Sequence, residues 1–203
     1  ADAGKVYLPL PRLFERIECG MGQEVTDYVE SQAFKSDFYS VPAHTKREEP
    51  IVVAVSAAQN QCANTGVIVR EGAEATVVIA AFAGDTADGA APAGSDANAS
   101  DANASDANAS GDALPTSAAL TRIVVEAGAK LHLIEMLGVN EGQQHLESVG
   151  LEVHQDAAVD VKQYALGGST IGLGLTANLV GARARLDLNN RYHATHEETL
   201  DIN

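Results

Sequence analysis

Several groups of residues have types and spacing that invite chemistry. His193-Ala-Thr-His196-Glu197-Glu198 brings two imidazoles and two carboxylates close together, the donor types of a metal site. Two histidines three apart on a strand point to opposite faces, and the two-His helix-face geometry of HExxH is missing, so a surface or turn role is the plainer expectation. Cys62, in NQCANTG, is a candidate loop thiol, and Cys19 is the only other cysteine. Without a CxxC pair, both fit small apolar residues better than ligands. Gly172-Leu-Gly174, in GGSTIGLGL, has the look of a glycine loop, but such glycines also serve tight corners and close backbone stacking. No GxSxG elbow, no GxGxxG after a strand and no GxxxxGK[ST] phosphate loop occurs, which argues against a self-sufficient catalyst.

One further pair depends on the elements that carry it. Val67 to Ile79 reads VIVREGAEATVVI, and Ile123 to Glu135 reads IVVEAGAKLHLIE, 56 positions later. Each is an apolar run, two linking residues, Gly-Ala and a second run with further apolar residues: strand, tight turn, strand. Weaker copies at Val153 to Val161 and Val180 to Leu188 put Asp156-Ala157 and Arg183-Ala184 where the first two have Gly72-Ala73 and Gly128-Ala129. The offsets are 56, 28 and 27, and SDANA repeated three times over residues 95–109 lies inside the longest. Without that insertion the pattern recurs about every 28 residues.

Short β-branched strands at that period predict an all-β fold, a right-handed parallel β-helix in which each rung stacks on the one before. A β-sandwich is the alternative, but it has no reason to keep the period. Alternation puts Val67, Val69, Val77 and Ile79 inside and Arg70, Glu74 and Thr76 outside. Asp160 and Asp187 fall at equivalent places in adjacent rungs, stacked ~5 Å apart. That spacing suits a shared proton or cation. It equally suits solvated outward carboxylates salt-bridged to neighbours such as Arg183 and Arg185.

The reading divides the chain into a partly helical N-terminal segment, 1–49, and a coil over 50–203 interrupted by a low-complexity loop at about 85–117. In the first, Leu13, Phe14 and Ile17 have helical spacing after Pro9 and Pro11, and a second helix is expected near Glu24 to Ala33. The SDANA repeats are too poor in apolar area to offset the entropy of ordering them. Their sequons at Asn98, Asn103 and Asn108 are by-products of the repeat.

Composition excludes several function classes. Thirteen Lys plus Arg against 28 Asp plus Glu leave a net charge of -15, which disfavours nucleic acid and anionic membranes as partners. Two cysteines without a framework point to a reducing, cytoplasmic setting. No signal-peptide pattern opens the sequence, and the longest apolar run, Val77 to Ala83, is far short of the ~20 residues that span a bilayer.

Three stretches resemble the SufB/SufD family of iron-sulfur cluster assembly proteins, SufD more than SufB. They are VPAHTKREEPIVV at Val41 to Val53, the pair VREGAEATVV and VEAGAKLHLIE, and LGGSTIGLGLTANLVGARARLDLNNRYHA at Leu166 to Ala194. The resemblance covers about 41 to 200. It implies a right-handed parallel β-helix and a scaffold without turnover of its own. The implied partners are a SufB-like paralogue or a second copy of the chain, and a SufC-type ABC ATPase that supplies the nucleotide site. An iron-sulfur cluster is expected only in the full complex. Where the family has R-N-D after the glycine pair this chain has Ile171-Gly172-Leu173, and the Q-H-x-D-N-H stretch is reduced to Thr195 to Glu198. No catalytic, cofactor-binding or metal residue is therefore carried over.

The family's second half is expected beyond Asn203, so the chain reads as a fragment whose last rung has an open edge and self-associates through it. The rivals are a polysaccharide-acting β-helix enzyme using stacked carboxylates, and an interaction module without cluster chemistry. The first is disfavoured by the absence of Trp and by 4% aromatic residues.

Overall fold

The structure, a computed structural model, describes residues 12–33, 36–84, 114–194 and 198–203. A 3-10 helix (Arg12–Arg16) and α1 (Gly22–Gln32) precede eleven strands. These are β1 (Ser36–Val41), β2 (Ile51–Ser56), β3 (Cys62–Val69), β4 (Glu74–Phe82), β5 (Thr116–Val125), β6 (Lys130–Leu137), β7 (Gln144–Val153), β8 (Ala158–Ala165), β9 (Thr170–Leu179), β10 (Arg185–Tyr192) and β11 (Thr199–Ile202). Odd strands form one six-stranded parallel sheet in chain order, and even strands form a five-stranded parallel sheet. The chain alternates between the sheets and climbs about five turns, so the parallel β-helix expected from the period is the fold. The SDANA repeats and their sequons lie outside the described residues.

The tight corner between each odd and even strand sets the repeat. Gly72, Gly128, Asp156 and Arg183 all have positive φ, 61°, 66°, 57° and 60°, at the four places the sequence pattern marks. His44, φ 56°, is a fifth corner that the pattern missed. The corners stack by backbone hydrogen bonds: His44 N–H donates to Glu71 C=O at 2.8 Å, Gly72 to Ala127 at 3.0 Å, Gly128 to Gln155 at 2.9 Å and Asp156 to Ala182 at 3.0 Å. Glycine adopts this conformation freely, whereas each L side chain there costs about 1–2 kcal/mol. Asp156 also accepts a bidentate contact from Arg183 of the next corner, with one arm at 2.7 Å. The alanine after a corner turns inward, and Ala73, Ala129 and Ala157 are buried.

Between the sheets lies the main core, in which Val67, Val69, Val77 and Ile79 are fully buried while Arg70 is exposed and Glu74 and Thr76 are half-buried, as alternation predicts. The first rung begins at Ser36, inside the stretch expected to be the N-terminal segment, because β1 pairs in register with β3. The N-terminal helices cover the outer face of the odd-strand sheet: Phe14 and Ile17 pack on Ile68 and Val124, and Val29 and Cys19 on Ala118 and Leu120. Every position of β5 is consequently buried.

The link Ile17 to Gly20 crosses this sheet at glycines. A Cβ on Gly150 would stand 2.5 Å from Glu18 O, and one on Gly174 2.4 Å from the Gly20 carbonyl carbon. The corner and close-approach roles expected of these glycines are the ones realised: Gly167 and Gly168 turn a corner at φ 128° and 143°, Gly174 admits the crossing link, and Gly172 makes room for the Met21 side chain. Gly174→Val is expected to lower stability by about 3 kcal/mol through backbone overlap. Urea denaturation followed by circular dichroism checks this, and a loss within ~0.5 kcal/mol would mean that the link does not seat there.

Candidate functional site

Polar side chains on the inner faces of a β-coil are the unexpected feature of this chain. Register decides where they stand. The inner column that starts with Val53 and Ile79 continues as Glu135 on β6, Gln163 on β8 and Asn190 on β10. Across the interior, Ala63 and Ala119 lead to Glu147 on β7, and Ser117 leads to His145. Apolar columns thus become polar in the later rungs. Ser117, Glu135, His145 and Glu147 are completely buried, and Gln163 nearly so.

The group is internally bonded. Ser117 Oγ lies 2.8 Å from His145 Nδ1, and His145 Nε2 lies 3.2 Å from Glu147 Oε2. Gln163 Nε2 donates to both Glu135 oxygens at 3.3 and 3.2 Å, and Asn190 Nδ2 donates to Gln163 Oε1 at 3.3 Å. Glu147 Oε1, Asn190 Oδ1 and Thr121 Oγ1 find no protein partner. An ionised carboxylate without full pairing is far too costly in such surroundings, so the proton stays on instead. Burial pushes Glu135 well above the usual carboxylate range, with the neighbouring Glu147 charge adding to the effect, and burial alone pushes Glu147 up. Burial also lowers His145 to about 3, leaving the ring neutral. The His145–Glu147 contact has ion-pair geometry but is a neutral hydrogen bond. It is satisfied when the Glu147 hydroxyl donates to Nε2 and Nδ1–H donates to Ser117 Oγ.

Ser117, His145 and Glu147 have the residue types of a nucleophilic triad, and no search for a GxSxG elbow would have found them. None of them lines a described cavity, and with all three sealed a substrate has no approach to Ser117. The arrangement can hold protons inside the coil. The signal was present in the sequence as phase: in LHLIEML, Glu135 falls in step with Leu131, Leu133 and Leu137.

The residues singled out by sequence lie elsewhere. Asp160 and Asp187 do stack in register, but on the open outer face of the even sheet. Asp160 meets His132 Nδ1 at 3.5 Å and Lys162 Nζ at 3.4 Å, so its partners are these two; Arg183 bonds to Asp156 instead. His193 is exposed just after β10, and His196 lies outside the described residues. Cys19, within the N-terminal link, is buried against the odd-strand sheet, its thiol pushed up by burial against the opposing pull of Arg122. It adjoins a cavity of about 430 Å³ where Arg122 donates to Glu30 at 2.8 Å. Cys62 is half-buried at the start of β3, its thiol also pushed up by burial. Among the described residues no three His, Cys, Asp or Glu side chains are placed to hold a metal ion, and no helix is long and apolar enough to cross a membrane.

The inner carboxyls make stability depend on pH. Folded-state values raised above the ordinary 4.5 mean that their contribution is full below that value and is lost as pH rises through the folded values. The slope reaches about 1.4 kcal/mol per pH unit for each proton released. His145, lowered from 6.5 to about 3, acts on the other limb: its contribution is full above 6.5 and is lost as pH falls toward 3. Glu147→Gln is therefore expected to leave stability nearly unchanged in mild acid and to raise it above wild type in alkali. Urea titrations across pH check this, and curves that stay parallel would contradict a buried neutral carboxyl.

Searches of curated proteins and of solved structures found no match to this chain. Residues 90–203 match the family described as SUF system FeS cluster assembly, SufBD core domain. The match takes in β5 to β11 and all six members of the inner polar group, and it covers more than half of the sequence. The chain belongs to the SufBD core family of the SUF iron-sulfur cluster assembly system.

Proposed function

We propose that this chain is a SufD-like scaffold subunit, which works with a SufB-like paralogue and a SufC-type ABC ATPase and has no turnover of its own. The family match over the later rungs carries the reading. The SufD-like assignment rests on the stretches at 41–53 and 166–194 and on the pair at 69–78 and 125–135. The cluster is cargo of the complex, and its ligands are not assigned to this chain.

The two ends of the coil differ in exposure. On the first rung the inner-face residues Ile51, Val53 and Val55 are 1 to 6% exposed. On β10 the inner-face residues Leu188 and Tyr192 are 51% and 67% exposed, beside an unpaired strand edge. Uncovered inner-face side chains at an open parallel edge suit further strands that continue the stack, of the same protein or of another β-rich subunit. The inner column Glu135–Gln163–Asn190 leads to that end.

Anaerobic co-purification tests the proposal. The tagged chain, co-expressed with a SufB-like paralogue and the ABC ATPase, is expected to retain the paralogue together with iron and acid-labile sulfide. Recovery of neither paralogue, iron nor sulfide with the unaltered chain would overturn the scaffold reading.

A further inference from the structure

The outer face of the odd-strand sheet carries two charges whose partners lie on the N-terminal helices. Arg122 on β5 and Glu152 on β7 share that face with Val124, and both are buried, at 6% and 7% exposure. Arg122 donates to Glu30 of α1 at 2.8 Å. Arg16, at the end of the 3-10 helix, donates to Glu152 at 2.6 Å. The sheet thus offers one cation and one anion, and the helical segment brings the opposite sign to each. Between the two pairs the link hangs on Gly20 N–H to Val149 C=O at 3.2 Å and on Met21 N–H to Ser148 Oγ at 3.1 Å. Matched charges of this kind set where a segment docks more than how tightly it is held.

The seat is built so that leaving it strands little. Glu152 Oε1 also lies 2.8 Å from His154 Nε2, so the carboxylate keeps a partner when Arg16 goes. Under the link the sheet presents Gly150 and Gly174, which have no side chain to uncover. Elsewhere the segment covers Ile68, Ala118, Leu120 and Val124, a small share of the apolar surface of the chain. The segment itself is weakly held. Of residues 12–32 only Phe14, Ile17, Cys19, Thr26 and Val29 are buried, whereas every position of β5 is. The 11-residue α1 starts after Met21 without a side-chain cap and has no basic residue in its last turn, so it is too short and too poorly capped to persist alone in water. A segment with few buried contacts opens first, as one cooperative unit, while the core stays folded.

We propose that residues 12–32 form a strap, latched by the Arg16–Glu152 and Glu30–Arg122 pairs, that opens as a unit over a folded β-coil and uncovers the outer face of β3, β5 and β7. The strap stands on these contacts alone and does not depend on the scaffold assignment. Hydrogen exchange of the full 203-residue chain, read by mass spectrometry, tests it. In the unaltered chain the α1 amides are expected to exchange at least about tenfold faster than those of β5 and β7. Cys19, buried while the strap is closed, gives a second reading: iodoacetamide is expected to alkylate it well before the coil unfolds. Glu30→Gln and Arg16→Gln alter the more exposed partner of each pair. Each is expected to speed both readings about fivefold, and their effects multiply when combined, with coil exchange unchanged. Added to Arg122→Gln, Glu30→Gln is expected to change nothing further, which separates a latch from a weakened helix. Strap and coil amides that exchange together, Cys19 alkylated only as the coil unfolds, or variants that speed the coil as much as the strap would each overturn the proposal.

Discussion

In-register parallel stacking is the constraint on which everything else rests. Each residue sits on its equivalent in the rung below, about 4.8 Å away, so the identity of one position is felt by two neighbours along a column. Apolar columns are favoured because each buried Val, Ile or Leu contributes roughly 1.5–3 kcal/mol. The corners obey the same rule. An N–H that finds its carbonyl one rung up tolerates His44 and Asp156 in a conformation that glycine adopts more easily.

Stacking also explains how a polar group can survive inside. A lone carboxyl among Val53- and Ile79-like neighbours would be stranded, but Glu135 is followed by Gln163 and then Asn190, each bonded to the next. The opposite wall answers with Ser117, His145 and Glu147. Neutral protonation is what this arrangement favours, since burial penalises the charged forms of all three titratable members.

Much of the coil was legible in the sequence because corners carry a local signature. Gly-Ala at 72 and 128, and the weaker Asp-Ala and Arg-Ala copies, are forced by a left-handed residue followed by a small inward one. His44 escaped because His-Thr carries neither sign, and β1 escaped because SDFYSV lacks the β-branched run of a core strand. The outward Asp160 and Asp187 pair was correctly stacked, but which cations it would meet depends on side-chain reach. The inner polar group was the real omission. Motif search looks for spacing, and these residues are related by phase across strands 28 positions apart, where Ser117 and His145 stack. Reading each strand for a polar residue in step with its buried neighbours would have found Glu135, His145, Glu147 and Gln163. The roof over the odd-strand sheet was legible only as two short helices, because what they cover depends on glycines 130 to 154 positions away in the chain.

Carboxyl carbon chemical shifts of Glu135 and Glu147, followed by NMR in a glutamate-labelled sample from acid to alkali, test the central claim most directly. Both carboxyls are expected to keep the shift of the protonated form well past the pH at which surface glutamates have titrated, and to lose it together as the interior opens. Shifts that move with the surface glutamates near pH 4.5 would show charged, solvated carboxylates and would contradict a sealed, proton-holding interior.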